Sequence, residues 1–121
     1  MKQLYLVAFI LLAGLASQAQ APAQRPAAAA PAGNAEEGRK LFVSDGCYQC
    51  HGYEAQGSSS TGPRLGPRPI AFAALSRYVR QPTGQMPPYT AKVVSDADLA
   101  NIYAFLQARP APLQSIPLLK P

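Results

Sequence analysis

Apolar residues recur at helical spacing near the end of the chain. They occupy positions i, i+3, i+4 and i+7, which are Leu99, Ile102, Tyr103 and Leu106. Residues at these positions form one stripe on an amphipathic helix. Ser95, followed by Asp98 three positions later, is a capping-box pattern and marks the start of this helix. The sequence therefore predicts a helix after Ser95 with one face in a hydrophobic core.

A second helix is predicted earlier in the chain, with Asn34 as its N-cap. Glu37 follows three positions later, which is a variant of the capping box, and the helix should run to Gly46. Gly38 has no side chain, so another helix could approach closely there. A shorter helix is predicted from Ala71 to Arg80.

No alternating stretch of apolar and polar residues predicts a strand. The chain contains thirteen prolines and nine glycines, which favours helices connected by long loops.

Composition divides the chain into four segments. Residues 1–19 have a charged start, an apolar run and small residues before a cut after Ala19, as in a secretory signal peptide. The apolar run is short for a membrane span. The composition of residues 20–33 predicts an Ala/Pro-rich linker, and that of residues 109–121 predicts a Pro-rich tail. Residues 34–108 remain as one periplasmic domain with a small core and no stable membrane insertion.

Both cysteines and the only histidine lie in Cys47-Tyr48-Gln49-Cys50-His51. C-x-x-C-H is the attachment signature of c-type haem, in which the thiols form thioether links and the histidine binds iron. Three ligands are too few for a structural zinc site, and no strand-rich flanks support a thioredoxin-like dithiol. The motif predicts one covalent haem c, which would also complete the small core.

Met86 is the predicted second axial ligand. It is the only methionine that remains after signal-peptide removal, and a single histidine excludes ligation by two histidines of one chain. Pro87 and Pro88 fix the backbone beside it. A gap-filling core methionine is the alternative role. The competing sixth ligands are a tyrosine, water, Lys40, Lys92 and Lys120.

The chain resembles the class I c-type cytochromes over about residues 34–108. The similarity is carried, in the family's order, by Gly38 and Phe42, C-Y-Q-C-H-G, Thr61-Gly62-Pro63-Arg64-Leu65, Gln85-Met86-Pro87-Pro88-Tyr89 and the Leu99–Leu106 helix. It implies an all-α cytochrome c fold, with three to four short helices and loops around one haem. It also implies that Pro63 accepts a hydrogen bond from His51 and that Leu65 packs on the haem.

These features predict an electron carrier rather than an enzyme, because His51 and Met86 would fill both axial positions. The expected partners are redox proteins: a periplasmic dehydrogenase as donor, and a terminal oxidase or another cytochrome as acceptor. Two alternatives remain. One is a haem enzyme or gas sensor with a labile sixth ligand, and the other is a cytochrome subunit bound permanently to a dehydrogenase.

Charge adds an expectation about partners. The formal net charge is +5, and four arginines between the motif and Met86 are expected near the haem edge, where they could steer an acidic partner. They are Arg64, Arg68, Arg77 and Arg80. No nucleic-acid-reading motif accompanies them. Asp45 and Glu54, which flank the motif, are predicted to be solvated surface groups.

Overall fold

The computed structural model describes residues 29–112, and in this range the chain forms four helices. They are α1 (Ala35–Ser44), α2 (Tyr48–His51), α3 (Phe72–Arg80) and α4 (Asp96–Gln107). The same range contains no strand, only an isolated bridge between Ser58 and Gly62. The expected all-α fold with three to four short helices is therefore confirmed.

Several predicted segments lie outside the described residues. These are the signal peptide (1–19), most of the linker (20–33) and most of the tail (109–121). Within residues 29–112, no helix is long and apolar enough to cross a membrane.

Asn34 caps α1, as predicted. Its Oδ1 accepts the backbone N–H groups of Glu36 and Glu37 at 2.9 and 3.0 Å, which satisfies two donors that the start of a helix leaves free. The second hydrogen bond of the predicted capping box, from the Asn34 N–H to the Glu37 side chain, does not form, so this part of the prediction is wrong. The Asn34 N–H donates to Asn101 Oδ1 on α4 at 2.8 Å, while the Glu37 carboxylate pairs with Lys40. The start of α1 is thus tied to α4.

α1 ends at Ser44, two residues before the predicted end at Gly46. The Ser44 hydroxyl donates to Leu41 O at 3.2 Å. Gly46 has a φ of +78°, a left-handed conformation that favours glycine. The chain therefore leaves the helix before Gly46 and turns into the C-x-x-C-H motif.

The Ser95–Asp98 capping box is present in full. The Asp98 N–H donates to Ser95 Oγ, and the Ser95 N–H donates to Asp98 Oδ2, both at 3.1 Å. Beyond the cap, α4 buries Leu99, Ala100, Ile102, Tyr103, Phe105 and Leu106. This set contains the predicted stripe and widens it, which makes α4 the central helix of the core.

Gly38 allows α1 and α4 to come into backbone contact. A Cβ atom at Gly38 would lie 1.9 Å from Asn101 O, so any side chain there would force the helices apart. Nearby, the rings of Phe42 and Phe105 pack with their centroids 5.2 Å apart, a favourable tilted pair. The close approach predicted at Gly38 is confirmed.

α3 corresponds closely to the predicted third helix, because it begins at Phe72 and ends at Arg80. Leu75 is buried, and the ring of Phe72 meets Tyr103 of α4 edge-on with a centroid distance of 5.3 Å. This packing fixes α3 against α4, and the loop that carries Met86 begins after the last residue of α3, Arg80.

Candidate haem site

The C-x-x-C-H motif folds as one helical turn, α2, which the sequence did not predict. The Gln49 N–H donates to Gly46 O, and the His51 N–H donates to Cys47 O, both at 3.1 Å. Gly52 ends the turn with a φ of +76°. Because residues four apart share a face of a helical turn, Cys47 and His51 lie on the same side.

The two thiols have different surroundings and are not joined by a disulfide. Cys47 is partly buried and packs against the hydrophobic core, whereas Cys50 is exposed. Burial, followed by the charge of Asp45, raises the pKa of Cys47 to about 11. The motif therefore offers one cysteine at the edge of the core and one at the surface.

The imidazole of His51 is buried and held in one orientation. Its Nδ1 lies 2.8 Å from Pro63 O, the contact that the resemblance implies. A carbonyl oxygen only accepts hydrogen bonds, so the proton is assigned to Nδ1 and the lone pair of Nε2 stays available. A Cβ atom at Gly62 would lie 3.2 Å from the ring atoms Nδ1 and Cε1, so glycine makes room for the ring. An imidazole fixed in this way is typical of metal-binding histidines.

The segment that carries Pro63 is tied to the motif on both sides. Thr61 Oγ1 donates to Cys50 O at 2.8 Å. Beyond Pro63, the Leu65 N–H donates to Ala55 O at 2.9 Å, and the Leu65 side chain is partly buried against the core. These bonds fix the hydrogen-bond partner of the histidine relative to the cysteines.

Met86 is partly buried in a loop whose two ends are both held by α3. At the start, the Tyr78 hydroxyl donates to Thr83 O at 3.1 Å. At the end, the Tyr89 N–H donates to Val79 O at 3.0 Å. The loop is therefore closed on the last turns of α3.

The end of this loop also contacts the segment just before Cys47. The Tyr89 hydroxyl donates to Asp45 O at 3.0 Å. Burial, followed by the charges of Cys47 and Asp45, raises the pKa of Tyr89, which agrees with a position beside the attachment motif. No sequence pattern indicated this contact, because Tyr89 and Asp45 are 44 positions apart.

The residues present fit a covalently attached haem. The site has two cysteines without a disulfide and a buried imidazole whose Nε2 is available. Several apolar side chains are only partly buried against the core, among them Leu41, Leu65, Phe72 and Val79. Thiols, an axial nitrogen and apolar contacts are the groups that a haem c requires.

An all-α domain built on a C-x-x-C-H turn defines the class of c-type cytochromes. The family described as cytochrome c oxidase, cbb3-type, subunit III matches residues 33–106, and the chain belongs to this family. The expected class I c-type cytochrome and its covalently bound haem c are therefore confirmed. No solved structure matches the chain.

Of the two carboxylates beside the motif, Glu54 is exposed, as predicted, with 47% of its side chain accessible, whereas Asp45 differs from the prediction. Glu54 accepts hydrogen bonds from Arg39 at 2.9 Å and from Arg109. Asp45 Oδ2 is buried and has no hydrogen-bond partner within residues 29–112. Burial, followed by the charge of Asp98, raises the pKa of Asp45. The prediction was wrong for Asp45, because residues distant in sequence, such as Asp98, pack near it.

One of the four arginines expected at the haem edge has a structural role. Arg80 donates to Tyr89 O at 3.0 Å and to Asp96 Oδ1 at 2.8 Å, and its side chain is only 19% exposed. It is thus not available to a partner protein. The other three are exposed and form no ion pair within residues 29–112: Arg64, Arg68 and Arg77.

Proposed function

We propose that this protein is a periplasmic monohaem cytochrome that transfers single electrons, with His51 and Met86 as axial ligands. The observation that carries the proposal is the hydrogen bond between His51 Nδ1 and Pro63 O, because it orients the ring and leaves Nε2 for iron. When bound, haem c supplies an iron that changes its oxidation state by one electron.

The other site residues have distinct proposed roles. Cys47 and Cys50 form the thioether links, one at the edge of the core and one at the surface. Pro63 keeps the histidine in one tautomer, and Leu65 covers part of the haem. An apolar cover favours the ferrous state, because the ferric form carries an additional positive charge.

Met86 completes the proposed ligand set. Within residues 29–112 it is the only methionine, and His51 is the only histidine. Lys40, a competing ligand, lies 4.0 Å from Glu36 and 3.3 Å from Glu37 on the exposed side of α1. Two protein ligands leave no open position on iron, which favours electron transfer over binding of a substrate.

The proposed donor is a periplasmic dehydrogenase, and the proposed acceptor is a terminal oxidase or another cytochrome. The description of the matched family names an oxidase subunit, which supports an oxidase as the acceptor. It also favours a second candidate, a cytochrome subunit bound permanently in an oxidoreductase complex. Residues 1–19 would act as the signal peptide that directs the chain to the periplasm.

A visible spectrum recorded with and without carbon monoxide tests the proposal. The ferric protein should show a sulfur-to-iron charge-transfer band toward the red end. The ferrous protein should not bind carbon monoxide at neutral pH, because Met86 occupies the sixth position. Ready binding would contradict the proposed ligand set and favour the haem enzyme or gas sensor.

The ion pairs of the domain leave an unpaired basic surface. The six acidic residues within residues 29–112 each have an ion pair, a hydrogen bond or a buried carboxylate oxygen: Glu36, Glu37, Asp45, Glu54, Asp96 and Asp98. Four basic residues have no ion pair within residues 29–112: Arg64, Arg68, Arg77 and Lys92. This imbalance supports a redox partner with an acidic docking surface.

Removal of two of these charges should slow the reaction with an anionic oxidant. In the Arg64→Gln/Arg77→Gln double variant, we expect ferricyanide to oxidise the ferrous protein about threefold to tenfold more slowly at low ionic strength, because electrostatic steering is weaker. The difference should disappear near 1 M salt, where the Debye length is about 3 Å. Stopped-flow absorbance of the haem measures both rates.

Lys40→Gln is the matched control, because it removes one positive charge that Glu37 already neutralises on α1. This variant should react nearly as fast as the wild type. A cationic cobalt complex should oxidise the double variant faster than the wild type, which shows that the effect depends on the sign of the charge. Equal ferricyanide rates for the double variant and the wild type at low salt would place both arginines away from the haem edge.

A further inference from the structure

All three polar groups of Tyr89 are bound, each to a different residue. Its N–H donates to Val79 O at 3.0 Å, and its carbonyl accepts from Arg80 Nη1 at 3.0 Å. Its hydroxyl donates to Asp45 O at 3.0 Å. The ring is partly buried against the hydrophobic core. The backbone and side chain of Tyr89 are therefore fixed relative to both α3 and the segment before the haem motif.

Arg80 connects Tyr89 to a further element. Its second terminal nitrogen donates to Asp96 Oδ1 at 2.8 Å, and Asp96 is the first residue of α4. The Arg80 side chain is 19% exposed and that of Asp96 is 82% exposed, so water competes less for the bond to the Tyr89 carbonyl than for the bond to Asp96. The end of the Met86 loop is thus linked to α4 as well as to α3.

The hydroxyl contact joins this loop to the place where haem is attached. Asp45 follows α1 directly, and its own N–H donates to Leu41 O at 2.9 Å. Cys47 is two positions further along. A hydrogen bond from Tyr89 to this carbonyl therefore fixes the loop against the same short segment that carries the first cysteine.

The chain is stiffer between Met86 and Tyr89 than between Met86 and the other fixed end of the loop at Thr83. Pro87 and Pro88 separate the two residues, and each proline ring fixes its own φ near −65°. On the other side, Gly84 has a φ of +77° and nothing within 4 Å of the position of a Cβ atom. The position of Met86 therefore depends mainly on the fixed end at Tyr89.

We propose that Tyr89 is the positioning residue for Met86, and that it holds the thioether at the iron through its hydrogen bonds to Asp45 and Arg80. The inference rests on the proposed function, because it requires Met86 as the sixth ligand. Loss of one of these bonds makes the loop open more often and exposes the sixth position to other ligands.

The Tyr89→Phe variant of the holoprotein tests this role, because it keeps the ring and removes only the hydroxyl bond. Imidazole should bind the ferric variant about fivefold more tightly than the wild type, since a typical net hydrogen bond of about 1 kcal/mol corresponds to that factor. The charge-transfer band should also disappear at a lower temperature on heating. The midpoint of helix unfolding, followed by far-ultraviolet circular dichroism, should change much less.

Arg80→Gln is a second variant that affects Tyr89, through its backbone carbonyl instead of its hydroxyl. It removes the bond to the Tyr89 carbonyl and should also increase imidazole binding. Tyr53→Phe is the control, because Tyr53 is 56% exposed beside the motif and lies on a different segment. It should behave as the wild type in both measurements.

The possible outcomes separate the inference from the proposed function. A wild-type protein without the charge-transfer band overturns the Met86 ligation, and the positioning role with it. A wild-type protein with the band and a Tyr89→Phe variant with unchanged imidazole binding overturns the positioning role alone. Parallel loss of the band and of helical structure on heating would assign Tyr89 a general role in stability and would also overturn the inference.

Discussion

The Met86→Ala variant should lose the sulfur-to-iron charge-transfer band and bind carbon monoxide in its ferrous form. Alanine provides no ligand atom, so the sixth position becomes accessible to small molecules. The reduction potential should fall by on the order of 100 mV, within the roughly 0.8 V range over which axial ligands tune haem. The direction follows from the soft thioether, which stabilises ferrous iron relative to harder ligands. Spectra and a redox titration of the purified protein measure these changes.

Gln85→Ala is the matched control for this experiment. Gln85 precedes Met86 in the same loop and is exposed, so its replacement should leave the band, the carbon monoxide result and the potential unchanged. A wild-type protein that lacks the band and also fails to bind carbon monoxide would show that a side chain without a thioether sulfur is the sixth ligand. Among the competing lysines, Lys92 is exposed within the described range, and a Lys92→Ala variant would then be the next test.

Replacement of Cys47 or Cys50 with alanine should leave a single thioether link and a much less stable protein. The domain has a small core, and a core of this size supplies only about 3–5 kcal/mol. Loss of about 2 kcal/mol would lower Tm by about 10 °C, at roughly 4–8 °C per kcal/mol for a domain of this size. In each single variant, the pyridine haemochrome absorption should move to longer wavelength, because one vinyl group stays conjugated with the ring.

The double variant, without either cysteine, separates covalent from non-covalent binding. Its haem should be removed by acid–acetone extraction, whereas the wild-type chain should keep one added haem mass in a mass spectrum. Gln49→Ala is the control, since Gln49 is exposed between the two cysteines and should leave both links intact. Single variants with an unshifted haemochrome spectrum and an unchanged Tm would contradict the assigned thioether links.

The helices were predictable because their signals act over short distances along the chain. Ser95 and Asp98 cap α4 through bonds that span three residues, and an apolar stripe is defined within two helical turns. The cap of α1 was predictable only in part. The Asn34 N–H finds its acceptor on Asn101, 67 positions away, so no local pattern could show that Glu37 is not needed there.

The short helix α2 and the neighbours of the carboxylates beside the motif were harder to predict from the sequence. Four residues are too few for a periodic pattern, so the helical turn at Tyr48–His51 has no signature beyond its C-x-x-C-H chemistry. Asp45 and Glu54 were predicted to be solvated because carboxylates in loops usually are, and this holds for the exposed Glu54 but not for Asp45. Their neighbours lie on α1, on α4 and at Arg109, two positions beyond the end of α4.

The sequence by itself determined the haem-attachment motif of two cysteines and one histidine, a methionine beside two prolines, two capped helices and a third, shorter helix. These features depend on residue identity and on spacing over a few positions. Only the tertiary structure decided that Arg80 links the methionine loop to α4, and that Tyr89 reaches Asp45 across 44 positions. Such contacts depend on how α1, α3 and α4 pack, because hydrogen bonds between distant segments form only after packing brings donor and acceptor together.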